Sequence, residues 1–443
     1  MKSSKPILDS NTQTSIVKGK VGFIDSNVDA IYLASRLVEA GFKLVVLDLS
    51  GRFMRSMKCE VYDEKFGEVF ELIEKGVKEG LISVSNDPIT LKECPFLFIF
   101  TDVEVDKKGK VDYLPLERAC RIAGDVIKRG VIVIVSTKVF PGTSEKVVKG
   151  LLENRSGLKS PADFGLAYVS FSSDENPILL ASLDERSLGR LASLFEEVTG
   201  RRVIMVNSIA AAEAASLLEA LHHNVVLAFS HEAAELCVAA GLDFLEVKDV
   251  LRAKGVSGIV DPTLIGKPLL NLSRRVFEES RLLNLKLELS KAAVKTIDYA
   301  VKRTFGLIKA GLKLCNKTVR RSKILILGFI TAFPFDPSFT ADFLYKVLYE
   351  RGMDVEIYTS RESFKGIEDL DLKFQNDLDK ALKGKDCLIV LSEKSLEYLK
   401  LKEAKHLVDQ PALIVDLTNR LDPEEVLKEG FVYASLSRGV LSR

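Results

Sequence analysis

At 443 residues the chain is too long for one hydrophobic core and implies two or three packed units, of which three are expected here. Its 47% apolar and 28% charged residues fit an ordinary globular protein and exclude a disordered or fibrous one. With Lys+Arg at 63 against Asp+Glu at 62, no global field favours nucleic acid or an anionic membrane, and any anionic ligand must be held locally.

Residues 1–16 are polar, have no signal-peptide h-region and are expected to form a flexible tail. From Lys18 the pattern changes. KVGFI is a short apolar strand, VDAIYLASRLVEA has helical spacing, Gly41 stops it, and KLVVLDL is a second strand, which together make a βαβ unit. FLFIF and VIVIVST continue as strands around the helix-like LERACRIAGDVIKRG, so a parallel sheet covered on both faces is expected over 17–206.

Over 207–317 the strand pattern gives way to two long helices. The first runs from a cap at Asn207 or Ser208 to the stop at Gly241, roughly 50 Å at about 1.5 Å per residue. It carries apolar residues on many faces, among them Leu217, Leu218, Leu221, Val225, Leu227 and Phe229, so a two-fold dimer built on 208–240 is expected. The second is LSKAAVKTIDYAVKRTFGLIKAGLKL. A further βαβ pattern, KILILGF, FTADFLYKVLYERG, DVEIYTS, CLIVLS and ALIVDLT, fills 318–443. The fold class is therefore α/β, two Rossmann-like doubly wound parallel-sheet domains joined by a long-helix segment. The six cysteines are scattered without a CxxC pair and read as core thiols of a reducing compartment. No metal site is indicated, no apolar run approaches a membrane span, and a cytoplasmic location is expected.

Several strings carry a resemblance. STKVFPGTSEKVVKGLLENRSGLKSPADFGLAY (136–168), DVEVDKKGKVD (102–112) and, in the last domain, KILILGF, KALKGKDCLIVLSE and ALIVDLTNRLDPEEVLKEGFVYASLSRG together resemble the UDP-glucose/UDP-N-acetylmannosamine dehydrogenases, the nucleotide-sugar 6-dehydrogenases. The likeness covers about Val17 to Gly439. It implies NAD as cofactor, a UDP-sugar as substrate, and oxidation of the sugar C6 alcohol to a uronic acid through a cysteine thiohemiacetal.

The residues at the positions the resemblance assigns to chemistry are different ones. The glycines of the G-x-G-x-x-G fingerprint are replaced by Asp25, Asn27 and Ala30, and Asp29 adds a second carboxylate where a pyrophosphate would lie. At ~5 Å and an effective dielectric of ~20, one such pair repels by about 3 kcal/mol, so weak NAD binding is expected. Asp48, at the end of the second strand, is either a ribose partner or a strand-end polar residue; with Thr137 and Thr143 it completes the cofactor-binding candidates. The resemblance aligns Ser257 with the nucleophilic cysteine, Ser216 with the lysine, Ala220 with the asparagine and Phe171 with the glutamate. Ser257 is either a nucleophile lacking a base or a loop residue, and the second reading is favoured.

His231 replaces the asparagine of the V-N-E string, Glu232 being kept; with His222 and His223 it is read as a helix-surface or interface histidine. In the last domain the nucleotide-sugar strings become Thr331-Ala332-Phe333 and Asp336-Pro337-Ser338-Phe339, and an arginine becomes Thr418. The kept Gly142-Thr143, Asp261-Pro262, Asn419 and Asp422-Pro423 fit turns and caps. The leading expectation is a degenerate, non-catalytic family member that binds a nucleotide sugar or a protein partner. The alternative is a divergent NAD-dependent UDP-sugar 6-dehydrogenase.

Overall fold

A computed structural model describes residues 18–58, 64–101, 103–105, 111–171, 176–264, 267–328, 340–358 and 372–442. The tail expected at 1–16 and the strings Thr331-Ala332-Phe333 and Asp336-Pro337-Ser338-Phe339 lie outside the described residues. Contacts gather into two compact units. The first holds the chain up to Lys58, Glu64–Glu219 and Arg274–Asn284; the second holds Ala220–Ser273 and Leu285 onward. The helices of 207–317 are thus divided between the two.

In the first unit the elements are β1 (Lys20–Ile24), α1 (Val28–Glu39), β2 (Lys43–Leu47), α2 (Arg52–Lys58), α3 (Glu64–Lys78), β3 (Ile82–Ser85), β4 (Phe96–Ile99), the short pair β5 (Glu104–Val105) and β6 (Val111–Asp112), α4 (Leu114–Val126), β7 (Ile132–Val135), α5 (Lys149–Ser156), β8 (Gly165–Ser170), β9 (Ile178–Ser182), α6 (Glu185–Thr199) and β10 (Val203–Val206). The eight-stranded sheet runs β10-β9-β8-β7-β4-β1-β2-β3. Its order reverses between β1 and β4, and the crevice beyond the carboxyl ends there is where such sheets take ligands. All pairs are parallel except β8 with β9, so β9 and β10 run against the rest.

The strands are apolar without alternation because both faces are covered. Phe23, Phe98 and Phe100 pack edge to face and stacked on one side, with Phe195 of α6 against Phe98 at 6.1 Å between centroids. Gly22 lies where a Cβ would stand 2.9 Å from Leu91 and Leu97, so β1 needs glycine there to let these side chains close over it.

Two long helices follow: α7 (Ile209–Ala239), begun by Ser208, whose Oγ accepts from Ala211 N–H at 3.2 Å, and, after α8 (Phe244–Ala253) and α9 (Lys267–Arg281), α10 (Glu288–Leu314). In the second unit α10 packs on a seven-stranded sheet ordered β13-β12-β11-β14-β15-β16-β17, with β11 (Lys323–Leu327), α11 (Thr340–Tyr349), β12 (Asp354–Tyr358), β13 (Phe374–Gln375), β14 (Cys387–Val390), β15 (Leu413–Asp416), β16 (Val432–Ser435) and β17 (Gly439–Leu441). It is parallel except for β17. Both sheets give the α/β, Rossmann-like architecture read from the sequence. Among the described residues no helix is long and apolar enough to cross a membrane.

Candidate functional site

At the switch point of the first sheet, the turn from β1 to α1 is built from residues that satisfy one another. Asp25 adopts φ +63°, the left-handed conformation that the first fingerprint glycine supplies elsewhere and that Asp tolerates better than most residues. Its Oδ1 accepts from the Ser26 and Ser50 amides at 3.0 and 3.4 Å and from Ser50 Oγ at 2.5 Å, tying the turn to the end of β2. Asn27 is the N-cap of α1, its Oδ1 accepting from Ala30 N–H at 3.0 Å. One of the amides a helix start can offer to an anion is therefore already taken.

Asp48 caps α2: Oδ1 accepts from Phe53 N–H at 3.1 Å and Oδ2 from Met54 N–H at 2.9 Å. Both oxygens are engaged in the cap, which accounts for the residue without a ribose. Thr137 is buried, its hydroxyl donating to Thr101 O at 2.5 Å, and Thr143 donates to Phe140 O at 2.6 Å. These two candidates hold together the loops beyond β4 and β7.

The turn at Gly142 carries a second potential anion cradle, and it too is filled from within. Glu213 of α7 is fully buried and accepts from Gly142 N–H at 2.5 Å and Ser144 N–H at 2.9 Å. Burial raises the pKa of its carboxyl, while the two amides act in the opposite direction. Sequence reasoning passed over Glu213. The available signal was a lone acid inside the apolar run AAAEAASLL, which a buried helix tolerates only if the acid has partners.

Nearly one turn further along α7, Ser216 is buried, and its Oγ lies 2.9 Å from Ser170 Oγ at the end of β8. Phe171 follows Ser170, is buried, and sets its ring 5.7 Å from that of Phe195, joining the aromatic cluster of the core. Neither position offers a group that can move a proton to or from a substrate. A second feature missed from the sequence is Arg275 of α9. It is buried and donates to Val103 O at 2.8 Å and to Lys138 O, with Glu279 at 3.9 Å on the same helix and Tyr113 donating to Glu279. An i, i+4 pair in RRVFEES was its only signature.

In the second unit, Ala220 is buried on α7, and Ser257 is exposed in the loop after α8 between Gly255 at φ +83° and Gly258 at φ +80°. No base is bonded to it among the described residues. Asp261 pairs with Lys248 of α8. His222 and His223 are exposed, as read from the sequence, but His231 is not a surface residue. It is buried, with Nε2 donating to Thr263 O at 3.0 Å, and burial lowers its pKa to about 4. The helical period could not separate it from the other two, because α7 is apolar on several faces and only its neighbours decide which polar residue is covered.

Beyond β15, buried Asp416 organises the loop that follows. It accepts from Thr418 N–H and Oγ1 at 2.9 and 2.6 Å, Asn419 N–H at 3.0 Å, Leu421 N–H at 3.0 Å and Tyr433 OH at 3.2 Å. Thr418 thus donates inward. Asn419 stands at φ +59°, and Asp422 caps the helix Pro423–Lys428 through Glu424 N–H at 2.9 Å.

Residues 21–178 match the profile of the UDP-glucose/GDP-mannose dehydrogenase family, NAD binding domain. The chain is 22% identical over 431 residues to UDP-N-acetyl-D-mannosamine dehydrogenase of Pyrococcus horikoshii, covering 92% of this chain and 96% of that one. Its matches to Protein CapL of Staphylococcus aureus and to GDP-mannose 6-dehydrogenase of Azotobacter vinelandii, 25% and 29% identical over 48% of this chain, span about half the length of those relatives. Among solved structures, that of the Pyrococcus horikoshii UDP-D-ManNAc dehydrogenase superposes with a TM-score of 0.77 at 18% identity, over 95% of this chain and 99% of the other, a likeness of fold. With the fold, the profile match and the end-to-end relatives in agreement, the chain carries the NAD binding domain of the UDP-glucose/GDP-mannose dehydrogenase family over residues 21–178 and is similar to that family's members along most of its length.

Proposed function

We propose that this protein is a non-catalytic member of its family, a binding or regulatory homologue that has kept the fold and lost the oxidation chemistry. The observation that carries this reading is Ser216, a buried hydroxyl spent on Ser170 where the family resemblance expects a lysine. A hydroxyl so placed can neither carry the positive charge that stabilises an oxyanion nor take up a proton near neutral pH. Ala220, Phe171 and the exposed Ser257 support it, since an oxidation of an aldehyde needs a covalent trap and an acid/base pair acting as one unit.

The switch-point turn does not suit a dinucleotide pyrophosphate. Asp25 brings a carboxylate to the turn, and the Asn27 and Glu213 side chains already occupy the amides of Ala30, Gly142 and Ser144. No chemical step is therefore assigned to NAD, and its binding is expected to be weak.

The working form is proposed to be a homodimer in the cytoplasm. Leu218, Phe229 and Leu236 of α7 are 63%, 55% and 71% exposed, and steps of eleven and seven residues align them on one side of the helix. Among the described residues Cys94, Cys120, Cys237, Cys315 and Cys387 are buried and free, as a reducing compartment allows.

A calorimetric titration with NAD, NADH, UDP-glucose, UDP-N-acetylglucosamine and UDP-N-acetylmannosamine tests the proposal. Binding of a nucleotide sugar without cofactor fits a binding homologue. Saturable micromolar binding of both cofactor and sugar would replace it with the divergent NAD-dependent UDP-sugar 6-dehydrogenase.

A further inference from the structure

We propose that the amino end of the first sheet carries a binding site for a small metabolite bearing two phosphates, a site apart from the switch-point crevice and independent of whether the oxidation chemistry survives. A cleft of about 550 Å³ opens there, within the range of small-molecule sites. Lys20, Lys43, Lys92, Lys128 and Glu93 line it, a local charge of +3 in a chain whose whole balance is +1.

The strand register builds the cleft. Lys20 and Lys43 open β1 and β2 and are partners in that parallel pair, so both side chains leave the same face of the sheet about 4.8 Å apart. The short 3-10 helix Pro88–Glu93 lies over this face: Lys20 Nζ donates to Glu93, and a Cβ on Gly22, two residues on, would meet Leu91 of that helix. Val45, partner of Ser83 on β3, continues the alternation, and with Leu81 and Ile89 it gives the cleft an apolar lining. At about 3.3 Å per residue, Lys20 stands ~13 Å down β1 from Ile24 and the switch-point turn.

Like charges side by side on neighbouring strands are destabilising unless an anion answers them. Glu93 answers only in part. Its carboxyl is held below the usual range chiefly by the hydrogen bond from Lys20, and the charge of Lys128, just beyond α4, adds to this. Lys43, Lys92 and Lys128 are exposed, and among the described residues none of them has an ion-pair partner. A phosphate carries about −1.5 to −2 at neutral pH, so two of them match the unanswered charge and one does not. Val45, Leu81 and Ile89 offer contact to a carbon skeleton. Lysines converging on one recess suit a small molecule, whereas a nucleic acid backbone is served by an extended stripe.

The test is calorimetric titration of the full-length protein with inorganic pyrophosphate and with fructose 1,6-bisphosphate at ~0.05 M salt. At least one of the two is expected to saturate a single site below about 1 mM, and to bind about tenfold more weakly at ~0.5 M salt. Lys43→Gln with Lys128→Gln should weaken it about twentyfold, roughly fivefold for each lysine lost. Lys295→Gln with Lys302→Gln makes the same charge change on exposed positions of α10 and should leave binding within about twofold. Glu93→Gln frees Lys20 and removes the competing carboxylate, so it should tighten binding several-fold, a gain that a damaged fold cannot imitate. Asp25→Gly with Asn27→Gly alters only the switch-point turn and should leave this binding unchanged, which separates the result from the fate of the non-catalytic reading. The proposal is overturned if neither anion saturates a site, if the two lysine variants lose affinity equally, if Glu93→Gln binds no tighter than the parent, if the Asp25/Asn27 variant alters the binding, or if single-stranded RNA binds more tightly than either anion at the same salt.

Discussion

Ser216 Oγ and Ser170 Oγ face each other at 2.9 Å between α7 and the end of β8, and both are spent on a contact inside the fold. A lysine at 216 would bring an ammonium group into a site with 1% exposure. Ser216→Lys is therefore expected to lower unfolding stability by about 3 kcal/mol or more, the cost of a buried charge without a partner, whereas Ser216→Ala should cost only about 1 kcal/mol. Urea denaturation of the two variants checks this. A Ser216→Lys protein as stable as its parent would mean that the site already has room and polarity for a lysine.

At the β1–α1 turn the backbone and the charge of Asp25 can be separated. At φ +63°, Asp25→Ala should destabilise by about 1–2 kcal/mol through left-handed strain and the lost Ser50 bonds, while Asp25→Gly should recover the strain component. Asp25→Gly with Asn27→Gly removes the carboxylate and frees the Ala30 amide. NAD binding by fluorescence titration should tighten from at least a hundredfold weaker than an active family member, by about 3 kcal/mol at most. Unchanged NAD affinity in the double variant would refute the electrostatic part of this account.

How far the sequence carried the reading differs between elements. The strands β1, β2, β11 and β12 and the helices α7 and α10 were legible because apolar period and glycine stops are local properties. The reversal of β9 and β10 was not, since pairing direction depends on a neighbouring strand distant in sequence. At the site, the replaced positions could be named from residue type alone. Their actual partners could not: Asp25 with Ser50, Glu213 with Gly142, Arg275 with Val103 and Asp416 with Tyr433 are long-range pairs with no motif. Asn27 was weighed as a lost glycine, and its capping role appeared only with the helix start in view.

His231 gives a pH dependence of definite sign. Burial lowers its pKa from 6.5 to about 4, so between those values the unfolded chain takes up a proton that the folded one refuses. Its contribution is fully present above pH ~6.5 and is lost as pH falls toward ~4, by about 1.4 kcal/mol per unit. Between pH 7 and pH 5 this amounts to about 2 kcal/mol. Replacing the imidazole by the neutral amide of His231→Gln should remove that part of the slope in urea titrations at the two pH values. An identical slope in parent and variant would show that His231 is not the group responsible.

The apolar side of α7 predicts the assembly. Leu218→Glu with Phe229→Glu places charges at two exposed positions, so it should leave the fold intact and convert a dimer to a monomer in light scattering at micromolar concentration. A parent protein already monomeric there would remove the dimer from the account.

The proposed loss of catalysis is tested most directly by following NADH formation and uronic acid when the purified protein is given NAD with UDP-glucose, UDP-N-acetylglucosamine or UDP-N-acetylmannosamine. Loss of one preorganised group costs about 10²–10³ in rate, and the groups replaced here act together. No turnover above background is predicted, for the parent or for Ser257→Cys, because Ser216, Ala220 and Phe171 remain. Uronic acid produced by the parent at a turnover near once per second would contradict the account.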